Sequence, residues 1–476
     1  MNPIKLNYKW VALSNTTIGS LMASLDRNIV IIALPTIALD LNTSLITLVW
    51  ITIGYWVVTA SALLTFGRLA DMFGRVKLYN VGFALFTIGS TFCCVSQTGE
   101  QLIIFRIIQG IGAAFIFSNS AAIISDSFPE SERGKALGIN QISIVVGSVL
   151  GLVVGGILTS YLGWRSIFWV NIPIGIFATI WALSKLKEFG HTKKERIDWV
   201  GNILMTLALL LLLFGITFGS FHILDATTTI IFIFFGSLSI ILFYLVERKT
   251  VYPMIDLTLF ESKIFTRSNI AIFLNSMARG AFSFVVVFYL QGPSMSLSPV
   301  EAGLYLIPVS LALAIFAPIT GWLYDKLRTP VLSQIGLLLS AIGFFMLMDI
   351  AEQVTFLEMI IPFTLIGAGM GIFTSPNRAA IMNSVSQNRR GIAAGVSTTL
   401  VMTGSAFSIA LIFLVFSYML PIDETSKIFS GTFEITSDPK KPLEYTLDKF
   451  LQSLRYIFLI SALLMVASAL IQYKIE

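Results

Sequence analysis

Histidine and cysteine are nearly missing from this chain of 476 residues, which has two of each. His191 and His222 lie in separate loops, which excludes a histidine-based metal centre, and no metal or other cofactor is expected. Cys93 and Cys94 are adjacent in one apolar run, cannot pair with each other without strain, and read as small apolar fillers. Charge is also scarce, at 12% of residues, far below what a water-soluble globule carries. No glycine-rich stretch ends in Gly-Lys-Ser/Thr, so a phosphate-cradling loop is lacking and ATP is not expected to power any cycle here. The chain reads as a non-enzyme.

What fills the sequence is apolar residues, 56% of the total, with a mean hydropathy of +0.85. Runs of about twenty residues, long enough to cross a ~30 Å hydrocarbon core, recur about fourteen times, from 10–34 through to 452–473. The first follows only Lys5 and Lys9 and no small-residue cleavage site precedes the next spans, so it is expected to be retained rather than removed as a signal peptide. With the N-terminus inside, about 21 of the 31 basic residues fall in inside loops or tails, which predicts two cytoplasmic termini in a multi-pass protein of the cell membrane. The net charge of +5 then reflects insertion topology and gives no reason to expect nucleic acid as a partner.

The chain contains its own copy. Gly67 and Asp71 map onto Gly321 and Asp325 at an offset of 254, while Gly110 and Gly112 map onto Gly367 and Gly369, and Arg133-Gly134 onto Arg390-Gly391, at 257. Three landmarks in one order define a six-span repeat. The expected organisation is an N-terminal half over 1–187, an inserted two-helix hairpin with cytoplasmic linkers over 188–262, and a C-terminal half over 263–476. Parallel repeats of this kind are one framework for alternating access around a midplane site. One outside loop, 421–451, is much longer than the rest; Phe429 to Ile435 has weak strand character, and a flexible surface loop is the preferred reading.

Several stretches carry a resemblance. Gly67-Arg68-Leu69-Ala70-Asp71-Met72-Phe73-Gly74-Arg75 resembles the loop signature of the major facilitator superfamily. Leu25 to Pro35, Arg106 to Gly110, and Gly163-Trp164-Arg165 through Asn171 to Gly175 are similar to the span-1, span-4 and span-6 patterns of its fourteen-span drug:proton antiporters. Gly147, Gly151, Gly155 and Gly156 resemble the span-5 glycine motif of exporters in that superfamily. The resemblance covers nearly the whole chain and implies an all-α polytopic fold of two pseudosymmetric six-helix halves plus the insert, fourteen transmembrane helices in all. Two departures bear on substrate: Arg27 follows Asp26 where the family has a small or hydroxyl residue, and the interiors of spans 10 and 13 contain no acids.

An ionisable side chain within a span is costly unless paired or wetted, so each is a functional candidate. By the ~1.5 Å rise per residue, Asp26 and Arg106 share a level in the outer part of the membrane. Burial and a neighbouring arginine act oppositely on the protonation of a carboxylate, which makes Asp26 the candidate proton carrier, with Arg106 biasing it. Arg279 falls near the middle of span 9 with no acid at its depth in spans 9–11, so either Asp26 reaches it or it binds an anionic or carbonyl-rich substrate. Arg27, Gln109, Asn140 and Asn275 are further candidates for substrate contact, and Gln141 and Gln291 for the cavity wall.

Asp71 and Asp325 are expected to act as paired latches, each accepting from a helix N-terminus of the other half, with Gly67, Gly74, Arg75 and Gly321 shaping the two loops. Family resemblance points Asp71 to the start of span 13 near Arg390-Gly391. The glycines spaced four apart in span 5 make one stripe suited to close or sliding helix contact, with plain packing as the alternative. The function expected is proton-coupled export of amphipathic small molecules by a monomer whose other partners are protons and lipids. A lipid or metabolite exporter or uniporter of the same fold, and a non-transporting receptor or scaffold, are the alternatives.

Overall fold

A computed structural model describes residues 3–188, 197–327, 329–350, 354–386, 389–430 and 443–473. Its described elements are helical: α1 (Pro3–Leu41), α2 (Leu45–Phe73), α3 (Arg75–Cys94), α4 (Gly99–Ser127), α5 (Glu130–Leu162), α6 (Ser166–Trp169), α7 (Asn171–Lys185), α8 (Trp199–Ser220), α9 (Ala226–Glu247), α10 (Lys263–Gln291), α11 (Pro299–Tyr305), α12 (Ile307–Leu327), α13 (Val331–Met346), α14 (Phe356–Asn383), α15 (Arg390–Met419), α16 (Ile422–Ser430) and α17 (Leu443–Tyr473). In lipid every backbone polar group must be satisfied within the segment, so helix ends need side-chain partners. Ser44, Thr98, Asp225 and Ser262 supply them at α2, α4, α9 and α10, and Ser298 with Glu301, and Thr355 with Glu358, form reciprocal caps at α11 and α14.

Among the described residues, thirteen helical stretches are long and apolar enough to cross a membrane. The fourteenth crossing is α3, whose asparagine, serine and threonine residues dilute its hydropathy. Its direction is fixed by its ends: Arg75 pairs with Asp126 at the end of α4, whereas the start of α4, at Gly99, packs on Thr43 in the turn between α1 and α2. We call the face where α1 starts and α17 ends basal, and the opposite face distal.

The internal repeat reappears as matching contacts. A side chain on Gly67 would meet Ser118 and one on Gly321 would meet Ser375, each at the corresponding point of the α2–α4 and α12–α14 pairs. Gly110 lies against the Tyr55 carbonyl as Gly367 lies against that of Val309; Gly112 touches Gly82 and Phe86 as Gly369 touches Gly336 and Ser340. Within each half the first and fifth spans pack together, α1 on α5 and α10 on α15.

The insert packs on the outside of both halves through α8, which lies against α2 and α15. Asn202 of α8 donates to the Ser61 carbonyl (2.8 Å) and to Thr65 Oγ1 (2.9 Å), which moors α8 on α2. The outer helix α9 packs chiefly on α8 and turns isoleucines and phenylalanines outward, as a lipid-facing helix does.

The distal segment departs from the expected loop. Ile422–Ser430 is helical, and α17 already begins at Leu443, so the connection is shorter than 421–451. The physical reason is Phe429, which is fully buried among Phe284, Phe288, Phe413, Phe416 and Phe450; an aromatic in such a cluster anchors the helix that carries it. The rest of the expected strand, residues 431–435, lies outside the described residues, as do His191 and most of the linker from Lys185 to Arg196.

Candidate functional site

Asp26 on α1 is fully buried, and three donors converge on it. Arg106 Nη1 reaches Oδ2 at 2.5 Å, Gln109 Nε2 reaches Oδ1 at 2.8 Å and Asn171 Nδ2 reaches Oδ1 at 2.7 Å. Gln109 also donates to Ser90 Oγ (2.8 Å) and accepts from Arg106 (2.6 Å), so α1, α3, α4 and α7 all contribute to one network. The Arg106 guanidinium lies over the Tyr55 ring, 4.1 Å from its centroid, which partly replaces the hydration lost on burial. The sequence brought Asp26 and Arg106 to one level; the structure makes them partners and adds Asn171, whose place in the span-6 pattern was the only signal for it. Gln109, expected at the substrate, belongs to this network.

A cavity of about 680 Å3 lies between the halves and opens at the basal face. Arg27, Asn140, Asn275 and Arg279 line it as expected, and so does Gln141. Gln291 does not; it donates to the Ile32 carbonyl (2.9 Å) across the distal seam. The cavity also takes in Arg378 of α14, which sits at the edge of an apolar run where sequence alone treats it as a loop charge. Apolar wall comes from Phe117, Val145, Phe282, Val309 and Met370 among others. Arg279 has no carboxylate within 4.0 Å among the described residues, and Asp26 is engaged elsewhere.

Above the cavity the halves are closed. Gly156 packs directly on the Pro299 carbonyl, where a larger residue would have no room, and the Val300 amide donates to Ser160 Oγ at 3.0 Å. The three glycines of the stripe face α1 instead: Gly147 and Gly151 sit against the carbonyls of Leu21 and Leu25, and Gly155 against Ile29 and Ile32. Midway down, Thr399 of α15 reaches the Ala60 carbonyl of α2 (3.4 Å).

At the basal mouth, Asp71 accepts from Arg75 Nε at 2.7 Å, and Arg75 Nη1 grips both oxygens of Asp126 at 2.8 Å. Asp71 and Gly391 line the same mouth from α2 and α15, and Gly391 has open space where a side chain would project. Gly74, at φ 108°, makes the turn that L side chains rarely adopt. It leaves room for Glu188, which accepts from the amides of Arg75 (2.6 Å), Val76 (3.1 Å) and Lys77 (3.2 Å) and so neutralises the start of α3. The segment after α9 crosses the mouth: Arg68 donates to the carbonyls of Tyr252 and Pro253, and Asp256 pairs with Arg389 at 3.2 Å. Asp325, expected from the repeat as a second latch, is exposed at the end of α12.

The family model of the Major Facilitator Superfamily matches residues 16–409 and 269–473. The chain belongs to the Major Facilitator Superfamily. This facilitator is a multi-pass membrane transporter, and its family implies a small-molecule substrate. It is 32% identical over 440 residues to the riboflavin transporter RibZ of Clostridioides difficile (strain 630), covering 91% of this chain and 94% of that one. It is 31% identical over 398 residues to multidrug resistance protein 3 of Bacillus subtilis (strain 168), covering 83% and 77%. Among solved structures, a bacterial homologue of the human lysosomal transporter Spinster, inward-facing and unoccupied, superimposes with a TM-score of 0.68 at 14% identity over 100% of this chain and 97% of that one. That likeness concerns the fold.

Proposed function

We propose that this facilitator is a proton-coupled exporter of amphipathic small molecules. The basal face is then cytoplasmic, in keeping with the excess of lysine and arginine in the loops on that side. One observation carries the reading: a sealed Asp26–Arg106 pair adjoins, by one residue of α1, the cavity-lining Arg27. Protonation of Asp26 removes half of that ion pair, frees Arg106 and Gln109 to reorient, and shifts the helix that carries Arg27. Loss of the proton on the cytoplasmic side restores the pair and the basal-open state.

In that cycle Asp71 works as the basal latch. With the mouth open it rests on Arg75; on closure it turns to the first amides of α15 near Gly391, where the helix dipole favours an anion. Asp325 does the same toward the start of α5 near Gly134. The seam at Gly156 and Pro299 opens as the mouth closes.

Resemblance to multidrug resistance proteins supports drug-like cargo, while the 32% identical riboflavin transporter favours a second reading, transport of one metabolite. Proteoliposomes enclosing a pH-sensitive dye test both, with riboflavin and 4-(1-pyrenyl)butyrate as probes. Proton movement on probe addition, abolished by Asp26→Asn, is expected. Probe transport that ignores a pH gradient, or proton flux undiminished in Asp26→Asn, would overturn the coupling.

A further inference from the structure

Five arginines line the cavity; Arg68 and Arg75 are engaged at its mouth, whereas Arg27, Arg279 and Arg378 have no carboxylate within 4.0 Å among the described residues. These last three lie at different depths. At ~1.5 Å per residue Arg378 is ~8 Å and Arg279 ~24 Å from the basal ends of their helices, and Arg27 is roughly 28 Å from Tyr8, where the candidate span of α1 begins. Arg27 is 6% exposed, and its contacts are Ser148 Oγ at 3.5 Å and Met402 Sδ at 3.8 Å, neither of which answers its charge. Arg279 is close enough to Arg27 for the two like charges to act on each other.

The acids that share the cavity sit at its mouth and are already engaged, Asp71 with Arg75 and Asp256 with Arg389. Two neighbouring cations facing one recess in a low-dielectric setting are costly, and an anion bound between them removes that cost. Beside them, Phe282, Val309 and Met370 offer apolar surface for the rest of a molecule.

We propose that the cargo is an amphiphile with an acidic head group, a carboxylate or a sulfonate, held between Arg27 and Arg279 after passing Arg378, with its apolar body along the facing wall. This rests on the exporter reading for the direction of movement, not for the binding. A cationic amphiphile meets repulsion at every one of the three levels. Guanidinium forks suit carboxylate and sulfonate oxygens, donating two hydrogen bonds at once.

Three probes sharing one apolar body isolate the head group: 4-(1-pyrenyl)butyrate, 4-(1-pyrenyl)butanol and (4-(1-pyrenyl)butyl)trimethylammonium. Binding is read by pyrene fluorescence on the full chain in nanodiscs of neutral lipid. The butyrate is expected to bind at least about tenfold tighter than the alcohol, the scale of one charge-assisted contact, and the ammonium weakest. Arg279→Gln and Arg27→Gln should erase that preference, with the folding of both variants read from their thermal unfolding midpoints; Arg279→Lys should keep most of it. Equal affinity for all three head groups, or an anion preference that survives in the Arg27→Gln, Arg279→Gln double variant, overturns the proposal. Because no gradient is involved, the outcome is separate from the proton-flux test.

Discussion

Asp26 and Arg27 are consecutive residues of α1, yet the carboxylate is sealed among α3, α4 and α7 while the guanidinium lines the basal cavity. An α-helix turns ~100° per residue, so adjacent side chains necessarily face different surroundings. Here one faces the interior of its own half and the other the gap between halves. Any rotation of α1 that loosens Asp26 also moves Arg27, which couples the two sites mechanically.

The Asp26–Arg106 pair is expected to behave as a unit. Removing one partner strands a buried charge, a loss of about 3–5 kcal/mol, whereas removing both leaves hydrogen-bonding amides. Arg106→Gln alone should therefore lower the thermal unfolding midpoint more than the Asp26→Asn, Arg106→Gln double variant. A double variant less stable than Arg106→Gln alone would contradict this.

Substitutions in the α5 glycine motif should separate by what each glycine touches. Gly151→Val drives a side chain into α1, within one half, and should reduce folded yield. Gly156→Val drives it into the Pro299 carbonyl of the other half and should instead part the distal seam. Solvent labelling of a cysteine placed at Ala302, which is fully buried beside the seam, should rise in the second variant, with the protein still folded.

Asp71→Asn should leave probe binding at the basal cavity intact, because Asp71 lies at the mouth and not beside Arg27 or Arg279. Turnover should fall by about tenfold or more, the value of one helix-terminus charge contact of ~1–2 kcal/mol acting on the closed state. Full turnover in Asp71→Asn would remove it from the latch.

Phe429→Ala should release α16. Truncating a buried phenylalanine commonly costs about 3–5 kcal/mol, more than a helix of this length gains by itself. Amide exchange over 422–430 is expected to accelerate strongly, while exchange in the middle of α10 is unchanged.

Much of this molecule is readable from local chemistry. Apolar length marks the crossings, and the offset between Gly67 and Gly321 marks the repeat, because both depend only on residues near in sequence. The depths of Asp26, Arg106 and Arg279 follow from the fixed rise of a helix. What a helix does not encode is its azimuth against its neighbours. That angle alone turned Gln109 from the cavity into the ion-pair network, brought Asn171 onto Asp26, and gathered Arg378 with Arg27 and Arg279 around one recess. Phe429 was hidden for a related reason, since its aromatic partners lie on α10, α15 and α17, far from it in the chain. Sequence by itself determined the number of crossings and their duplication; the packing of one helix against another decided which charges meet each other and which face the cavity.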